Sequence, residues 1–485
     1  MLPDKTLYKW MKTPIFWAVV IALIYAVVTL YITIHLMHDS YNTNAFDLGI
    51  FTQDLKYTLQ GNLLYSTAGQ YQLAHHFSPI LLVLVPVYWL FPHAQTLLVV
   101  QAFLLAFGGY LIYVLAREYN YSHRASLILE GLYFINPLVW GVALFDFHEV
   151  AFAIPALLVM FLGLKRKNWI LFTLGLVIAL ATKEDVVTAT CAFGAILMLA
   201  DYWQHKKLGK SSIIIFSAAL LAFGIGVIVS HLASGGEPAR LLSYFTNRYA
   251  YIGQPLSLAI PLAVSTIFSM SSLFLIVAYL LPLAFLPLLS PKWSIPALLI
   301  LLSGILSTCS AQHNELMQYP AAAIPFLFMA FIVVLPGIMR NSKISSILKK
   351  YRYLALTCSI IIVIICLTII SGGRIKLASL PDAHDAAINQ VIALVPNNAT
   401  VTTSNVIFPH LCSRTNTYLL AWEGEAAAPE AGIINGDWGF PKKETEYVFI
   451  DAGNNSMMAS NINIILKHYT LIKNIDGVLL YQLKS

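Results

Sequence analysis

Charged residues are scarce in this sequence, and their scarcity excludes an ordinary soluble protein. Asp, Glu, Lys and Arg make up 11% of the 485 residues, against 58% hydrophobic residues, and the mean hydropathy is +0.73. Such a composition is typical of a polytopic membrane protein. The formal net charge of +6 requires no acidic partner, so we expect a lipid bilayer and no nucleic acid among the partners.

Cysteine is also scarce, and its spacing argues against two common kinds of site. The five cysteines are Cys191, Cys309, Cys358, Cys366 and Cys412. None of them lies in a CxxC spacing, and most lie within apolar runs. The sequence therefore indicates neither a zinc site nor a disulfide framework.

Long apolar runs are what the sequence has in abundance. The first, at 14–36, is longer than the core of a signal peptide and has no small-residue cleavage pattern after it, so we expect a retained membrane helix. The other runs lie at 95–116, 124–144, 150–164, 169–182, 186–203, 211–232, 267–290, 294–310, 320–339 and 353–371. This pattern predicts a mainly α membrane protein, a polytopic helical bundle of about 11 spans.

The short apolar segment 78–91 can either cross the membrane or only dip into it. Three lysines precede the first apolar run. Later basic clusters lie at 117–124, 165–167, 206–210, 292 and 340–352. They fall on the same side of the membrane as the three N-terminal lysines only if 78–91 does not cross. Because Lys and Arg accumulate in cytoplasmic loops, we expect a multi-pass protein of the cytoplasmic membrane with a cytoplasmic N-terminus and a re-entrant or juxtamembrane 78–91.

The composition becomes polar and mixed after the last apolar run. A helix is expected at 382–394 and a second at 457–467. Strands are expected near 399–404, 416–420, 446–451, 468–474 and 477–483. We therefore divide the chain into a transmembrane module, 1–375, and a small C-terminal α/β domain, 376–485, which the odd number of spans places outside the cytoplasm. The domain is expected to be a lid or acceptor platform, or else a stabilising cap.

The first external loop, 38–94, contains the stretch around which we interpret the rest. Between Asn44 and Leu59, apolar residues recur at spacings of three and four, which predicts an amphipathic juxtamembrane helix. Asp47 and Asp54 are seven residues apart and so share a face at the edge of the apolar stripe. Such a helix can hold carboxylates against a lipid-borne substrate. The alternative is a solvated surface helix with ordinary acidic residues.

The expected topology gathers the remaining ionisable side chains at one membrane face. A charged side chain at the end of a membrane helix is unfavourable unless it has a partner. Five external loops carry such side chains at the same face, so the sequence predicts a site there. Its candidate donor- or acceptor-binding residues are His75, His76, His148, Lys183, Glu184, Asp185, Arg248, His313 and Glu315.

This set of side chains suits group transfer from a lipid-linked donor. A carboxylate can take the proton from an attacking hydroxyl, and cations or a metal can stabilise the leaving phosphate. Asp47 is the expected base. Asp146, His148 and Glu149 are expected to orient the acceptor or to bind a divalent cation such as Mg or Mn, with Asp146 and His148 as its candidate ligands.

Lys183 and Arg248 are the cations expected to bind the donor phosphate. Two alternatives remain open at neighbouring motifs. The KED motif at 183–185 can be an ion pair that closes a helix end. His313 and Glu315 can be a hydrogen-bonded loop pair without a role in catalysis.

The stretches FDLGIF, HHFSP, NPLVWGVALFDFHE and ATKED resemble the polytopic family called domain of unknown function 2079, over most of the chain. That family in turn resembles the C-type glycosyltransferase (GT-C) superfamily in layout. The resemblance implies that Asp47, the acid of the first external loop, is the base, and that the second acidic motif falls on Asp146 and Glu149. It also implies a polyprenyl-phosphate-linked or diphosphate-linked sugar donor, with a glycan, lipid or protein acceptor. This sequence has DFHE in place of the usual DxD-type pair of acids, so the resemblance does not carry metal dependence over to this chain.

Two other classes of function remain open. A transporter or flippase of a lipid or glycan usually places ionisable groups near the bilayer midplane. Here the expected spans carry few charges, and Glu130 is the main exception. A non-catalytic membrane scaffold would make the acids at the membrane face dispensable.

Overall fold

The protein is a mainly α-helical bundle with a small sheet near its C-terminus, as the sequence predicts. The architecture is that of a computed structural model. It describes residues 13–68, 70–235, 248–314, 317–350, 352–372, 378–414, 416–420, 445–452 and 466–484. Glu315 and most of the helix expected at 457–467 lie outside the described residues.

The helices of the transmembrane module follow the apolar runs of the sequence. They are α1 (Pro14–Leu30), α2 (Ile50–Leu59), α3 (Gln72–His75), α4 (Val85–Leu90), α5 (Gln95–Glu118), α6 (His123–Phe134), α7 (Pro137–Leu144), α8 (Ala153–Arg166), α9 (Trp169–Leu180), α10 (Glu184–His205), α11 (Lys210–Ala233), α12 (Leu256–Ile267), α13 (Met270–Leu280), α14 (Pro291–Leu306), α15 (Ala323–Arg340), α16 (Ser342–Lys350) and α17 (Arg352–Gly372). A π-helix, Tyr31–His38, extends α1.

Fewer helices than expected are long enough to cross a membrane on their own. Within the described ranges these are 5, namely Pro14–His38, α5, α10, α11 and α15, or up to 7 if α6 with α7 and α12 with α13 are each one bent span. The bends measure 50° and 46°. A total of about 11 spans would therefore need shorter helices as well. Pro79–Leu90 is one of the apolar helices of only 10–17 residues, the length expected of a segment that does not cross.

The sequence prediction was wrong between α12 and α14. Helix α12 was missed because Pro261 interrupts its pattern, although the helix accommodates this proline. The apolar run expected at 267–290 instead ends in two 3₁₀ turns, Leu281–Leu283 and Leu286–Leu289, each with proline in its first turn. Proline lacks the N–H that a continuous helix would need there.

An aromatic cluster joins the helices that carry much of the membrane core. Phe161, Phe193, Trp293 and Phe326 come from α8, α10, α14 and α15, with ring centroids 5.0–5.5 Å apart. Three of the pairs are edge-to-face and two are tilted, and aromatic pairs add about 0.5–1.5 kcal/mol each to the burial of the rings. The cluster fixes α10 and α14, which both contribute to the cavity described below.

The first external loop is folded over the bundle. A π-helix, Ala45–Gly49, runs directly into α2. A two-stranded hairpin of β1 (Tyr65–Ser66) and β2 (Gln70–Tyr71) follows, and the 3₁₀ helix Pro79–Leu84 leads into α4.

Helix α2 is buried rather than laid on a surface, so the expected amphipathic surface helix was wrong. Every residue from Ile50 to Tyr57 is buried, including Asp54. The polar face is covered by the C-terminal domain, where Gln53 Nε2 donates to the carbonyl oxygen of Thr417 over 3.0 Å. The periodicity of apolar residues reveals the apolar face of a helix, but it does not show whether a distant part of the chain packs against the polar face.

The described residues of the C-terminal domain form a five-stranded mixed sheet with a helix beside it. Its elements are α18 (Ala383–Ile392), β3 (Val401–Thr403), α19 (Phe408–Leu411), β4 (Thr417–Leu419), β5 (Tyr447–Asp451), β6 (Tyr469–Ile475) and β7 (Val478–Leu483). The strand order is β4-β3-β5-β7-β6. β3 is parallel to β4 and β5, whereas β7 is antiparallel to β5 and β6. The five expected strands and the first expected helix are confirmed.

Candidate functional site

One cavity brings together most of the residues that the sequence predicted to form a site. It has a volume of about 590 Å³ and lies between the first external loop and the helices α10, α11, α13 and α14. The predicted residues that line it are Asp47, His75, His76, His148, Lys183, Glu184, Asp185 and Arg248. Four separate loops or helix ends therefore converge on one space.

The cavity has an apolar side as well as this polar one. Phe223 and Val227 of α11 and Leu299 and Ile300 of α14 belong to its wall. A concave site with an apolar wall and convergent polar groups is the usual form of a binding site. This combination suits an amphiphilic ligand.

Asp47 and His148 form the central polar contact of the cavity. Nε2 of His148 lies 3.2 Å from Oδ1 of Asp47, and their side chains are 6% and 21% exposed. Burial lowers the pKa of His148 to about 3, although the charge of Glu149 opposes this shift. The ring is therefore neutral near pH 7, so the contact is not an ion pair, and an imidazole protonated at Nε2 can donate a hydrogen bond to the Asp47 carboxylate.

Ring contacts and a backbone hydrogen bond fix the orientation of His148. The rings of Phe51 and Phe145 lie 5.4 Å and 5.1 Å from the imidazole, centroid to centroid. The backbone N–H of His148 donates to Oε1 of Gln101 over 2.9 Å. A side chain held in this way can orient the carboxylate that it contacts.

Glu149 and Lys183 form a buried ion pair beside the cavity. Nζ of Lys183 lies 3.1 Å from Oε1 of Glu149, and Ser78 Oγ donates to the same oxygen over 3.3 Å. Burial alone would raise the pKa of Glu149, but Lys183 and two neighbouring histidines outweigh it and hold the pKa below its usual value. Glu149 is not among the cavity-lining residues. For Lys183, the geometry matches the alternative of an ion pair at a helix end.

A second histidine–carboxylate pair lies on the cavity wall. Nδ1 of His76 is 2.5 Å from Oε1 of Glu184, at the first residue of α10. Oδ1 of the next residue, Asp185, accepts the backbone N–H of Val186 over 2.8 Å. The N-terminus of α10 therefore presents two carboxylates to the cavity.

Asp146 supports the first external loop and does not line the cavity. Its Oδ2 accepts both the backbone N–H and the Nδ2–H of Asn44, each over 3.0 Å. Within the ranges that the structure describes, no group of three or more His, Cys, Asp and Glu side chains is arranged to hold a metal ion. The described residues, including Asp146 and His148, therefore do not fit a dedicated divalent-cation site.

Of the remaining predicted residues, Arg248 lines the cavity and His313 does not. The Arg248 guanidinium lies over the ring of Tyr319, 5.6 Å from its centroid, and both residues line the cavity. His313 is not a lining residue, and its Nε2 contacts the carbonyl oxygen of Ser307. The expected alternative, a pair with Glu315, lies outside the described residues.

Sequence reasoning missed Gln101, which supports the site from inside α5. Its Nε2 donates to the carbonyl oxygens of Val142, Phe145 and Asp146 over 3.0–3.2 Å. A lone amide in an otherwise apolar membrane helix is a signal of such a role. Asn44 was missed as well, because a single asparagine before a helix is read as an ordinary cap.

Two solved structures are similar to the chain over nearly its whole length. The crystal structure of ArnT from Cupriavidus metallidurans bound to undecaprenyl phosphate matches with a TM-score of 0.55 at 12% identity, covering 96% of this chain and 97% of that chain. The apo structure of the same protein matches with a TM-score of 0.53 at 12% identity and the same coverage. This identity shows the fold alone, and the expected GT-C-like layout is confirmed at that level.

The sequence itself matches one family. No curated protein matches it. A family model described as predicted membrane protein (DUF2079) matches residues 37–480, from the end of the first membrane helix into the last strand of the sheet. This stretch includes every residue of the candidate site. The chain therefore belongs to the DUF2079 family of predicted membrane proteins.

Proposed function

We propose that the protein is a GT-C-type membrane glycosyltransferase, which moves a sugar from a polyprenyl-phosphate donor to an acceptor at the outer membrane face. The observation that carries the proposal is the Asp47 carboxylate, held by neutral His148 at the wall of a cavity with both polar and apolar sides. ArnT, whose fold the chain shares, has been crystallised with undecaprenyl phosphate, which is a lipid of the proposed donor class.

The reaction needs one base and one stabilised leaving group. The acceptor hydroxyl oxygen forms a bond to the anomeric carbon of the sugar, and the bond from that carbon to the phosphate oxygen breaks. Asp47 takes the hydroxyl proton, and the polyprenyl phosphate leaves with the electron pair. Because His148 stays neutral near pH 7, it donates a hydrogen bond to Asp47 without neutralising the carboxylate.

The walls of the cavity supply the binding roles. Arg248 is the cation we assign to the donor phosphate, since Lys183 is paired with the buried Glu149. His76 and Glu184, which also line the cavity, can hydrogen-bond the sugar or the acceptor. The apolar residues of α11 and α14 suit the first isoprene units of the lipid. A glycan, a lipid or a protein can each supply the acceptor hydroxyl.

The decisive experiment replaces Asp47 with Asn in protein reconstituted into vesicles. Transfer from a panel of radiolabelled polyprenyl-phosphate sugars should fall by about 100-fold or more, in line with the loss of a general base. Asp39→Asn is the matched control, because Asp39 is exposed and lies outside the cavity. Full transfer by a folded Asp47→Asn protein would refute the assignment of the base.

The transporter alternative rests on one observation. Glu130 is fully buried in α6, and neither of its carboxyl oxygens has a hydrogen-bond partner within the described residues. Buried ionisable groups in membrane helices often mark transport pathways. Movement of a labelled lipid across vesicles that survives Asp47→Asn and is lost in Glu130→Gln would favour transport. Indifference of both variants in every assay would favour a scaffold.

A further inference from the structure

The turn that bears Asp47 begins without the cap that its own sequence offers. Asn44 is at the N-cap position of the π-helix Ala45–Gly49, where an asparagine side chain commonly accepts a backbone N–H of the first turn. Here the Asn44 side chain makes no such bond. Its Nδ2 instead donates to Asp146 across the site.

A side chain from the C-terminal domain hydrogen-bonds the start of this turn. Oδ1 of Asn405 accepts the backbone N–H of Ala45 over 2.8 Å. Nδ2 of the same Asn405 donates to Oδ1 of Asn44 over 3.1 Å. Asn405 is buried and follows β3 in the C-terminal domain, so one amide side chain from that domain satisfies two groups at the start of this turn.

These bonds close a ring of contacts around the proposed base. Asn44 is tied to Asp146 by two hydrogen bonds. Two residues after Asp146, His148 contacts the carboxylate of Asp47. The loop that holds Asp47 and the loop that holds His148 are therefore joined at Asn44, which is the residue that Asn405 contacts.

The same domain also packs against the end of the turn. A Cβ atom built on Gly49 would lie 2.5 Å from Cδ1 of Phe408, so the ring of Phe408 rests directly on the backbone there. Asn405 at one end and Phe408 at the other bracket the π-helix. Its backbone cannot shift without breaking one of these contacts.

We infer that Asn405 is a positioning residue for Asp47, through which the C-terminal domain sets the geometry of the active site. The inference rests on the proposed function. It gives the domain a part in turnover that neither a lid nor a simple cap would have. Asn405 does not line the cavity and acts through the turn of Asn44 and Ala45.

The kinetic test compares two asparagines of the same domain. Asn405→Ala should lower kcat by about 10- to 100-fold, as expected when a reacting group is displaced by about 1 Å, and should leave the KM for the donor within about twofold. Asn389→Ala is the matched control, since Asn389 also joins the domain to the first external loop, through the hydroxyl of Tyr41 over 3.0 Å. Its kcat should stay near that of the wild type.

A general docking role predicts a different result. If the domain merely stabilises the fold, the two variants should lose activity in proportion to their loss of thermal stability. Equal losses of kcat in Asn405→Ala and Asn389→Ala, or an unchanged kcat in Asn405→Ala, would overturn the inference. A raised donor KM with unchanged kcat would overturn it too.

A second measurement does not depend on turnover. In hydrogen–deuterium exchange, a peptide covering 44–50 should exchange at least about tenfold faster in Asn405→Ala than in the wild type, because the Ala45 N–H loses its acceptor. Asn389→Ala should leave this peptide unchanged. Absent transfer by the wild-type protein would refute the proposed function alone, whereas unchanged exchange in Asn405→Ala would refute the positioning contact.

Discussion

Nζ of Lys183 lies 3.1 Å from Oε1 of Glu149, and the Glu149 side chain is fully buried. The contact joins the loop after α7 to the N-cap residue of α10, so it holds together two of the segments that supply cavity residues. Removing one partner of such a pair leaves a buried charge without compensation, which is more harmful than replacing both partners.

Lys183→Met should therefore destabilise the protein by about 3–5 kcal/mol, measured by thermal unfolding in detergent. The double variant Lys183→Met with Glu149→Gln should recover most of that loss, because the buried charge is removed. Glu118→Gln is a control at an ion pair that is partly exposed on both sides, with Arg166, and should change stability by less than about 1 kcal/mol. A single variant as stable as the wild type would contradict the prediction.

His148→Gln should lower the rate of transfer without changing the shape of its pH profile. Loss of the imidazole that orients Asp47 should reduce kcat by about 10- to 100-fold. Since burial lowers the pKa of His148 to about 3, the ring stays neutral from pH 5 to 8 and contributes no limb to the profile there. An inflection in this range that disappears in His148→Gln would contradict the assignment. His93→Gln, at an exposed position outside the cavity, is the control.

Asp54 should act as a neutral carboxylic acid. Burial, and next the charge of Glu149, raise its pKa well above the usual value, and neither carboxyl oxygen has a hydrogen-bond partner in the described part of the chain. Above the unfolded pKa of 3.8, the folded state binds a proton that the unfolded state releases. Stability should therefore fall as the pH rises towards the folded pKa, by at most about 1.4 kcal/mol per pH unit.

Asp54→Asn tests this expectation, because it replaces a neutral acid with a neutral amide of similar shape. The variant should be at least as stable as the wild type at pH 7, with a shallower decline of stability between pH 5 and 8. Thermal unfolding across this range measures both quantities. A strong loss of stability at pH 7 would mean that the carboxylate is charged and partnered in the folded protein.

The C-terminal domain should lose stability as the pH rises above neutrality. His384 lies between Asp476, 2.9 Å from Nδ1, and Asp451, 3.1 Å from Nε2. Burial alone would lower the pKa of His384, but the two carboxylates outweigh it and raise the pKa. The stabilisation is fully present below the unfolded pKa of 6.5 and is lost as the pH rises through the higher folded value.

His384→Gln should abolish this dependence. Hydrogen–deuterium exchange of a peptide covering 383–392 should be slower at pH 6 than at pH 8.5 in the wild type, after correction for the intrinsic rate. In His384→Gln the corrected difference should vanish. The same difference in both proteins would show that another group is responsible.

The parts of the fold that local pattern determines were predictable. The five strands of the C-terminal domain match their predicted positions because each is a short β-branched or aromatic run between turn residues. Asp47 and His148 line the same cavity, and both belong to loops that the distribution of Lys and Arg predicts at one membrane face. Ionisable residues at the ends of apolar runs are few, which makes such a choice possible.

What depends on distant contacts was not predictable. The polar face of α2 was interpreted as solvated. Gln53 in fact hydrogen-bonds the carbonyl oxygen of Thr417, and the residues near Gln53 in the sequence give no sign of this distant partner. Asp146 was expected to act on the substrate, yet its carboxylate accepts two hydrogen bonds from Asn44. An acidic motif shows that a carboxylate is needed, but not whether a ligand or the backbone is its partner.

Because Oδ1 of Asn405 receives the N–H of Ala45, the order of synthesis has a consequence. A ribosome exposes Asp47 early, whereas the acceptor of the Ala45 N–H exists only after codon 405 has been translated. A nascent chain terminated by a nonsense or frameshift mutation before that codon would still contain the membrane helices of the cavity. We expect such a product to insert in the bilayer and to remain inert.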